Sequence, residues 1–127
     1  AQKAREKALR ALRQEAFLVL KSLKLNGWQS RMVTHVAGAA YIDWESLYAD
    51  LHAGEFLQLV REPGNPHDEF AIMVTDEPGN KMGYIPRFEN KALARQLDEG
   101  RQICAVVLQV KKTSRVWQLY IEVFLRG

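Results

Sequence analysis

Hydrophobic positions recur along this chain first with a helical and then with a strand rhythm. Over residues 3–24, Leu9, Leu12, Ala16, Val19 and Leu23 follow one another at spacings of three and four. That spacing lines them along one stripe of an α-helix. Asn26 and Gly27 follow the run, the residue types that favour a helix C-terminus. From residue 30 the rhythm shortens. Over 30–37, Val33, His35 and Ala37 alternate with Met32, Thr34 and Val36, the two-residue period of a strand. Asp43 is a fair N-cap for a short helix over 43–51, ending before Gly54. Further strands are expected over 55–61, 70–75 and 81–85. Residues 88–99 read as a helix with Leu93 and Leu97 turned inward and Gly100 closing it. Segments 102–110 and 116–125 read as a long final hairpin that turns at 111–115.

The connections carry as much information as the elements. Asp76, Glu77, Pro78, Gly79 and Asn80 make a tight turn between two strands. Residues 62–68 hold Pro63, Gly64, Asn65 and Pro66, which restrict the backbone to a structured loop. Strands joined by tight turns, without strand–helix–strand alternation, favour an antiparallel barrel over an open parallel sheet. The expected class is mainly β within α+β: a small OB/SH3-like antiparallel barrel of five or six strands with two inserted helices and an N-terminal helix. Two parts are expected, a basic amphipathic helix over 1–26 and the barrel domain over 30–127.

Composition narrows the picture. The chain has 127 residues, 47% hydrophobic and 26% charged, an ordinary globular balance at the size of one domain. A single cysteine rules out a disulfide framework. The longest stretch without Lys, Arg, Asp or Glu spans 32–42, short of the roughly 18 apolar residues of a membrane helix, and no membrane partner is expected. Residues 17–20 are too few for the apolar stretch of a secretory signal. Glutamates and the scarcity of serine near the start argue against a mitochondrial leader, so a cytoplasmic location is expected. The net charge is +3. Lys3, Arg5, Lys7, Arg10 and Arg13 against Glu6 and Glu15 supply all of it, and residues 17–127 sum to zero. The basic character belongs to the N-terminal segment and says nothing of a charged face on the barrel.

Signatures of catalysis are scarce. There is no glycine-rich phosphate loop and no G-x-S-x-G. His35, His52 and His67 are far apart, and Cys104 lies in the apolar run 103–108, where a cysteine acts as a small hydrophobe. Adjacent His67 and Asp68 suggest a metal-dependent nuclease, but further ligands at a fitting spacing are missing. No catalytic residue, cofactor or metal is expected. Asp68 itself stands on a proline-stiffened loop, which can aim a side chain without a helix beneath it. An aspartate there can also simply cap its own turn.

Several blocks together resemble the HIRAN domain family: Gly38-Ala39-Ala40-Tyr41, then Leu57 through Asp68 with Arg61-Glu62-Pro63-Gly64-Asn65-Pro66-His67-Asp68 at its end, then Ala71-Ile72, and Gly83-Tyr84-Ile85-Pro86-Arg87. Their order and spacing match over about residues 31–125. The resemblance implies an OB-type barrel that, in fork-remodelling translocases, grips the 3′ end of single-stranded DNA. By the same resemblance Asp68 accepts a hydrogen bond from the terminal 3′-hydroxyl. His67 stands where a base-stacking tyrosine is frequent, and Tyr41 matches a tyrosine against the terminal nucleotide. Tyr84 and Arg87 match positions lining the groove near the phosphates, and Trp117 falls near another aromatic base contact.

The physics of such a site is simple. A terminal hydroxyl donates to a carboxylate, whereas an internal nucleotide would bring a phosphate against it. Arg61, Arg87, Lys111 and Lys112 are candidate phosphate contacts. The expected function is a non-enzymatic module that binds single-stranded DNA with preference for free 3′-hydroxyl ends. Its expected role is recruiting or sensing in repair or replication, beside a helicase, nuclease or other repair protein. Ala40 and Ile42 stand where DNA-binding relatives carry a basic and an aromatic residue. With the neutral barrel, they motivate the alternative: a protein-interaction module that docks, or self-associates, through its N-terminal helix.

Overall fold

The structure is a computed structural model, and it describes residues 2–38, 51–112 and 116–127. Two helices come first, α1 (Gln2–Arg13) and α2 (Phe17–Leu25), followed by strand β1 (Trp28–His35). Strands β2 (Phe56–Arg61), β3 (Ile72–Thr75) and β4 (Lys81–Tyr84) come next. A 3-10 turn (Arg87–Glu89), helix α3 (Lys91–Asp98) and the hairpin β5 (Ile103–Lys112) and β6 (Trp117–Arg126) complete the chain. The strands form one six-stranded sheet in the order β1-β6-β5-β2-β3-β4, and every pairing is antiparallel.

The sheet curls until its two ends meet. Register shifts between Ser30 and Met32, Val74 and Thr75, and Val107 and Gln109 bend the strands. Beyond β1, the Ala37 N–H donates to the Tyr84 carbonyl at 2.7 Å and the Tyr84 N–H to the Ala37 carbonyl at 2.9 Å. That bridge joins the first strand of the order to the last. Gly83 makes it sterically possible. A Cβ at Gly83 would overlap the Ala37 carbonyl oxygen and come to 2.6 Å of Val36 Cγ1, and its φ of 142° also favours glycine.

The central hairpin is buried on both faces, so its strands read as apolar runs and not as an alternation. Ala105 and Val107 of β5 with Leu119, Ile121 and Val123 of β6 point inside, against Val36, Leu57, Ile72, Val74, Met82, Ile85 and Leu93. Val106, Leu108 and Phe124 point outward and are covered by Ala16, Leu20 and Leu23 of the N-terminal segment. Glu122 shares that outer layer and is fully buried. Its carboxylate accepts from Arg13 Nε at 2.8 Å and Nη2 at 2.9 Å, and from the Ser30 hydroxyl.

The single helix expected over 3–24 is two helices. Gln14, Glu15 and Ala16 form tight turns, with the Ala16 N–H on the Arg13 carbonyl at 3.2 Å and the Phe17 N–H on the Gln14 carbonyl at 3.4 Å. No proline or glycine causes this break. Packing does: small Ala16 sits against the barrel at 1% exposure, and the bend lets Arg13 reach Glu122 while the apolar stripe stays on the sheet.

The helix expected over 88–99 opens as the 3-10 turn and becomes α-helical after Asn90. Strand β3 starts at Ile72, two residues later than expected, because the preceding loop claims Phe70 and Ala71. Strand β5 runs on to Lys112, so residues 111 and 112 belong to a strand. The helix expected over 43–51 lies outside the described residues, apart from Leu51 at its end.

Candidate functional site

The loop from β2 to β3 is a stack of turns closed at its base. There the Glu62 N–H donates to the Ala71 carbonyl at 3.0 Å. Above that base the Asn65 N–H reaches the Glu62 carbonyl at 3.1 Å, and the Ala71 N–H the Asp68 carbonyl at 3.2 Å. Asn65 stiffens the path further, its Oδ1 accepting from the His67 N–H at 2.9 Å and its Nδ2 donating to Glu62 Oε1 at 3.1 Å. Prolines 63 and 66 remove donors such a path would leave unused.

Arg61 holds this loop from below. Its guanidinium donates to the carbonyls of Ala71 at 2.7 Å and Glu69 at 3.0 Å, and pairs with Asp98 of α3 at 2.9 Å. These donors are aimed at the loop, which makes Arg61 an anchor of the site. Arg87 straps the loop from the side, its Nη2 donating to the His67 carbonyl.

Asp68 is half-buried, and both of its oxygens are held. Oδ1 accepts from the Phe70 N–H at 2.9 Å, the turn-capping role open to an aspartate at this position. Oδ2 accepts from Asn90 Nδ2 at 2.7 Å. Asn90 is 2% exposed and sits between the 3-10 turn and α3, where an asparagine would ordinarily cap the helix with its side chain. Here no side-chain cap forms, and the amide serves Asp68 instead. A carboxylate has about four lone-pair positions, so two donors orient the group and leave capacity facing outward. Both donors are neutral, and among the described residues no cation pairs with this carboxylate.

Outward lies a cleft of about 540 Å³ lined by Asn65, Pro66, His67, Asp68, Glu69, Phe70, Arg87, Asn90 and Lys91. It combines an oriented carboxylate, two cations and two ring-bearing side chains. Lys91 Nζ lies 5.4 Å from the Phe70 ring centroid and the Arg95 guanidinium 5.9 Å, so the ring is flanked by positive charge. Phe88 is 82% exposed beside Arg87. Among the described residues no three His, Cys, Asp or Glu side chains gather as a metal site would need.

The expected site residues divide into groups. His67, Asp68 and Arg87 line the cleft together, and Arg61 lies beneath it. Tyr84 does not line the cleft but is tied to its loop, its hydroxyl donating to Glu62 Oε1 at 2.8 Å with Lys81 Nζ 4.6 Å from its ring. Lys111, Lys112 and Trp117 sit at the tip of the β5–β6 hairpin, with Lys112 Nζ 4.9 Å from the Trp117 ring. They do not line the cleft. Backbone pairing connects the two places: the Val36 N–H donates to the Leu119 carbonyl at 2.9 Å, one residue before the Ala37–Tyr84 bridge. Tyr41 lies outside the described residues. Asn90, Lys91 and Phe70 also line the cleft, though sequence patterns did not single them out. An asparagine at a helix start signals a cap, and only the fold diverts it to Asp68.

A curled antiparallel sheet with a rigid, carboxylate-bearing corner defines a small β-barrel fold. The family is specific: the HIRAN domain model matches residues 30–125, and the chain belongs to that family. A crystal structure of a protein from Lactobacillus plantarum superposes with a TM-score of 0.70 at 26% identity, covering 77% of this chain and 94% of that one. The crystal structure of the HIRAN domain of human HLTF superposes with a TM-score of 0.63 at 26% identity, covering 80% of this chain and 81% of that one. An NMR structure of the HLTF HIRAN domain, 24% identical, gives 0.55 with 80% and 82% covered. No curated protein sequence matches the chain.

Proposed function

We propose that this chain is a binding module for single-stranded DNA that prefers free 3′-hydroxyl ends and carries out no chemistry of its own. The observation that carries this reading is the state of Asp68. It is oriented by Asn90 and the Phe70 N–H at 2.7 and 2.9 Å, both neutral donors, and borders an open cleft. A terminal ribose hydroxyl can donate to it, and such a bond to a charged acceptor is worth roughly 1.5–3 kcal/mol. A 3′-phosphate or a continuing strand would place an anion beside it, which costs energy at short range. His67, Phe70 and exposed Phe88 offer surfaces for bases, each stacked base contributing roughly 1–3 kcal/mol without reading sequence. On this reading Arg87 and Lys91, which line the cleft, would meet phosphates next to the terminal sugar, and Lys111, Lys112 and Trp117 at the hairpin tip would meet a strand that continues along the barrel.

A module of this kind would recruit or sense at DNA ends, beside a helicase, nuclease or other repair protein. The test is fluorescence polarisation with matched oligonucleotides ending in 3′-hydroxyl or 3′-phosphate. The 3′-hydroxyl strand should bind at least tenfold tighter, and Asp68→Ala should remove that difference at a temperature where circular dichroism shows the variant still folded, its melting temperature lowered by the two lost hydrogen bonds. Equal affinity of the parent protein for both ends would end the reading.

A further inference from the structure

From the N-terminal helices we infer a second binding surface: a groove between α1 and α2 that docks an acidic amphipathic helical segment of a partner protein. The groove measures about 1010 Å³, at the top of the usual range for a small-molecule pocket and open enough for a rod of chain. Its floor is apolar and includes Phe17, Leu20 and Leu25. Phe17 and Leu25 are 58% and 77% exposed, an unusual display for large side chains brought together in a concavity.

Lys7, Arg10, Lys21 and Lys24 stand among the lining residues, and no carboxylate does. The groove is preformed. The Arg13–Glu122 ion pair pins the end of α1 to the barrel, and Ala16, Leu20 and Leu23 pin α2. An apolar channel between basic rims is complementary to a helix with leucine-type anchors on one face and Glu or Asp on its flanks.

Other occupants fit less well. A second copy would bring the same basic rims together, and like charges repel. A membrane surface is flat and would meet the helix ridges without filling the concavity. A nucleic-acid strand prefers aromatic platforms, and this floor holds one aromatic ring, Phe17, among aliphatic side chains. The surface is separate from the Asp68 cleft, with which it shares no lining residue, so it stands or falls apart from the DNA reading.

The experiment uses the full chain and a fluorescent 18-residue peptide with leucines at helical spacing and glutamates on both flanks. Controls are the same peptide with lysines for glutamates and a scrambled sequence. Binding should be measurable for the acidic peptide alone and weaken as salt rises. It should fall at least tenfold in the double variant Lys21→Glu, Lys24→Glu, and again in Leu25→Glu, which changes an exposed floor residue and leaves the buried layer untouched. Oligonucleotide binding should be unchanged in both variants.

Equal binding of acidic and basic peptides would overturn the proposal, as would indifference to the charge reversal. So would a groove that instead serves vesicles of phosphatidylserine and phosphatidylcholine, or oligonucleotides, with the peptide unbound.

Discussion

Two carboxylates in this barrel, Asp68 and Glu122, meet different fates. Glu122 lies between the sheet and the N-terminal helices, has no exposed surface, and receives a bidentate guanidinium and a hydroxyl. Asp68 lies at a loop corner, half-buried, and receives one backbone N–H and one amide. The donors decide the outcome. A guanidinium cancels the charge, so Glu122 joins two structural layers and has nothing to offer a ligand. Neutral donors aim the carboxylate without pairing it with a cation, which is what the proposed discrimination of a hydroxyl from a phosphate requires. The same side-chain chemistry thus serves as a rivet in one region and, under the proposed function, as a reader in the other.

The largest effect should come from breaking the rivet. Arg13→Ala strands a buried anion and should cost about 3–5 kcal/mol, read by urea denaturation with two-state analysis. Adding Glu122→Leu should restore most of that loss, because the outer layer is otherwise apolar. A loss below about 1 kcal/mol would place the pair with ordinary exposed ion pairs, and the contrast with Asp68 would disappear.

Next in size is Asp68→Asn, which keeps the shape and removes the charge. Discrimination between 3′-hydroxyl and 3′-phosphate strands should fall by about 1.5–3 kcal/mol, tenfold or more. Asn90→Ala should be milder, costing about 0.5–1.5 kcal/mol of stability for the lost hydrogen bond. It should weaken 3′-hydroxyl binding less than Asp68→Ala does. An equal loss in the two variants would mean that Asn90 contacts the ligand itself.

The smallest effect is a titration. Burial pushes the Cys104 thiol up to about 11, and its side chain packs against the outer layer that α2 covers. The folded protein holds this proton more tightly than the unfolded chain does. Stability from this group is therefore complete below the ordinary thiol value of about 8.5 and is lost as pH rises from there toward 11. At pH 8 the thiol should react with a disulfide reagent more slowly than free cysteine, and Arg13→Ala should speed the reaction by loosening the layer above it. Asp68→Asn should leave the rate unchanged.

The patterns along the chain carried a good part of this. Leu12, Ala16, Val19 and Leu23 do form one stripe packed on the barrel, and Leu9 is half-buried beyond it. The strands fall within about two residues of where they were expected, β1 by its alternation and the final hairpin by its apolar runs. The corner at 62–68 was legible because proline and glycine restrict the backbone on their own. The break at Gln14–Ala16 was not legible, since nothing in its residues disfavours a helix and the cause lies in the surface beneath.

What the sequence determined by itself is what depends on neighbours along the chain: the periodicity of each element, the stiff corner that carries Asp68, and the blocks that mark the HIRAN domain. The tertiary structure decided what depends on neighbours across it. Arg13 meets Glu122 over a separation of 109 residues, and Asn90 meets Asp68 over 22. No local preference encodes either pairing; each exists because the curled sheet, closed at Gly83 where a Cβ would not fit, brings the partners within hydrogen-bond reach.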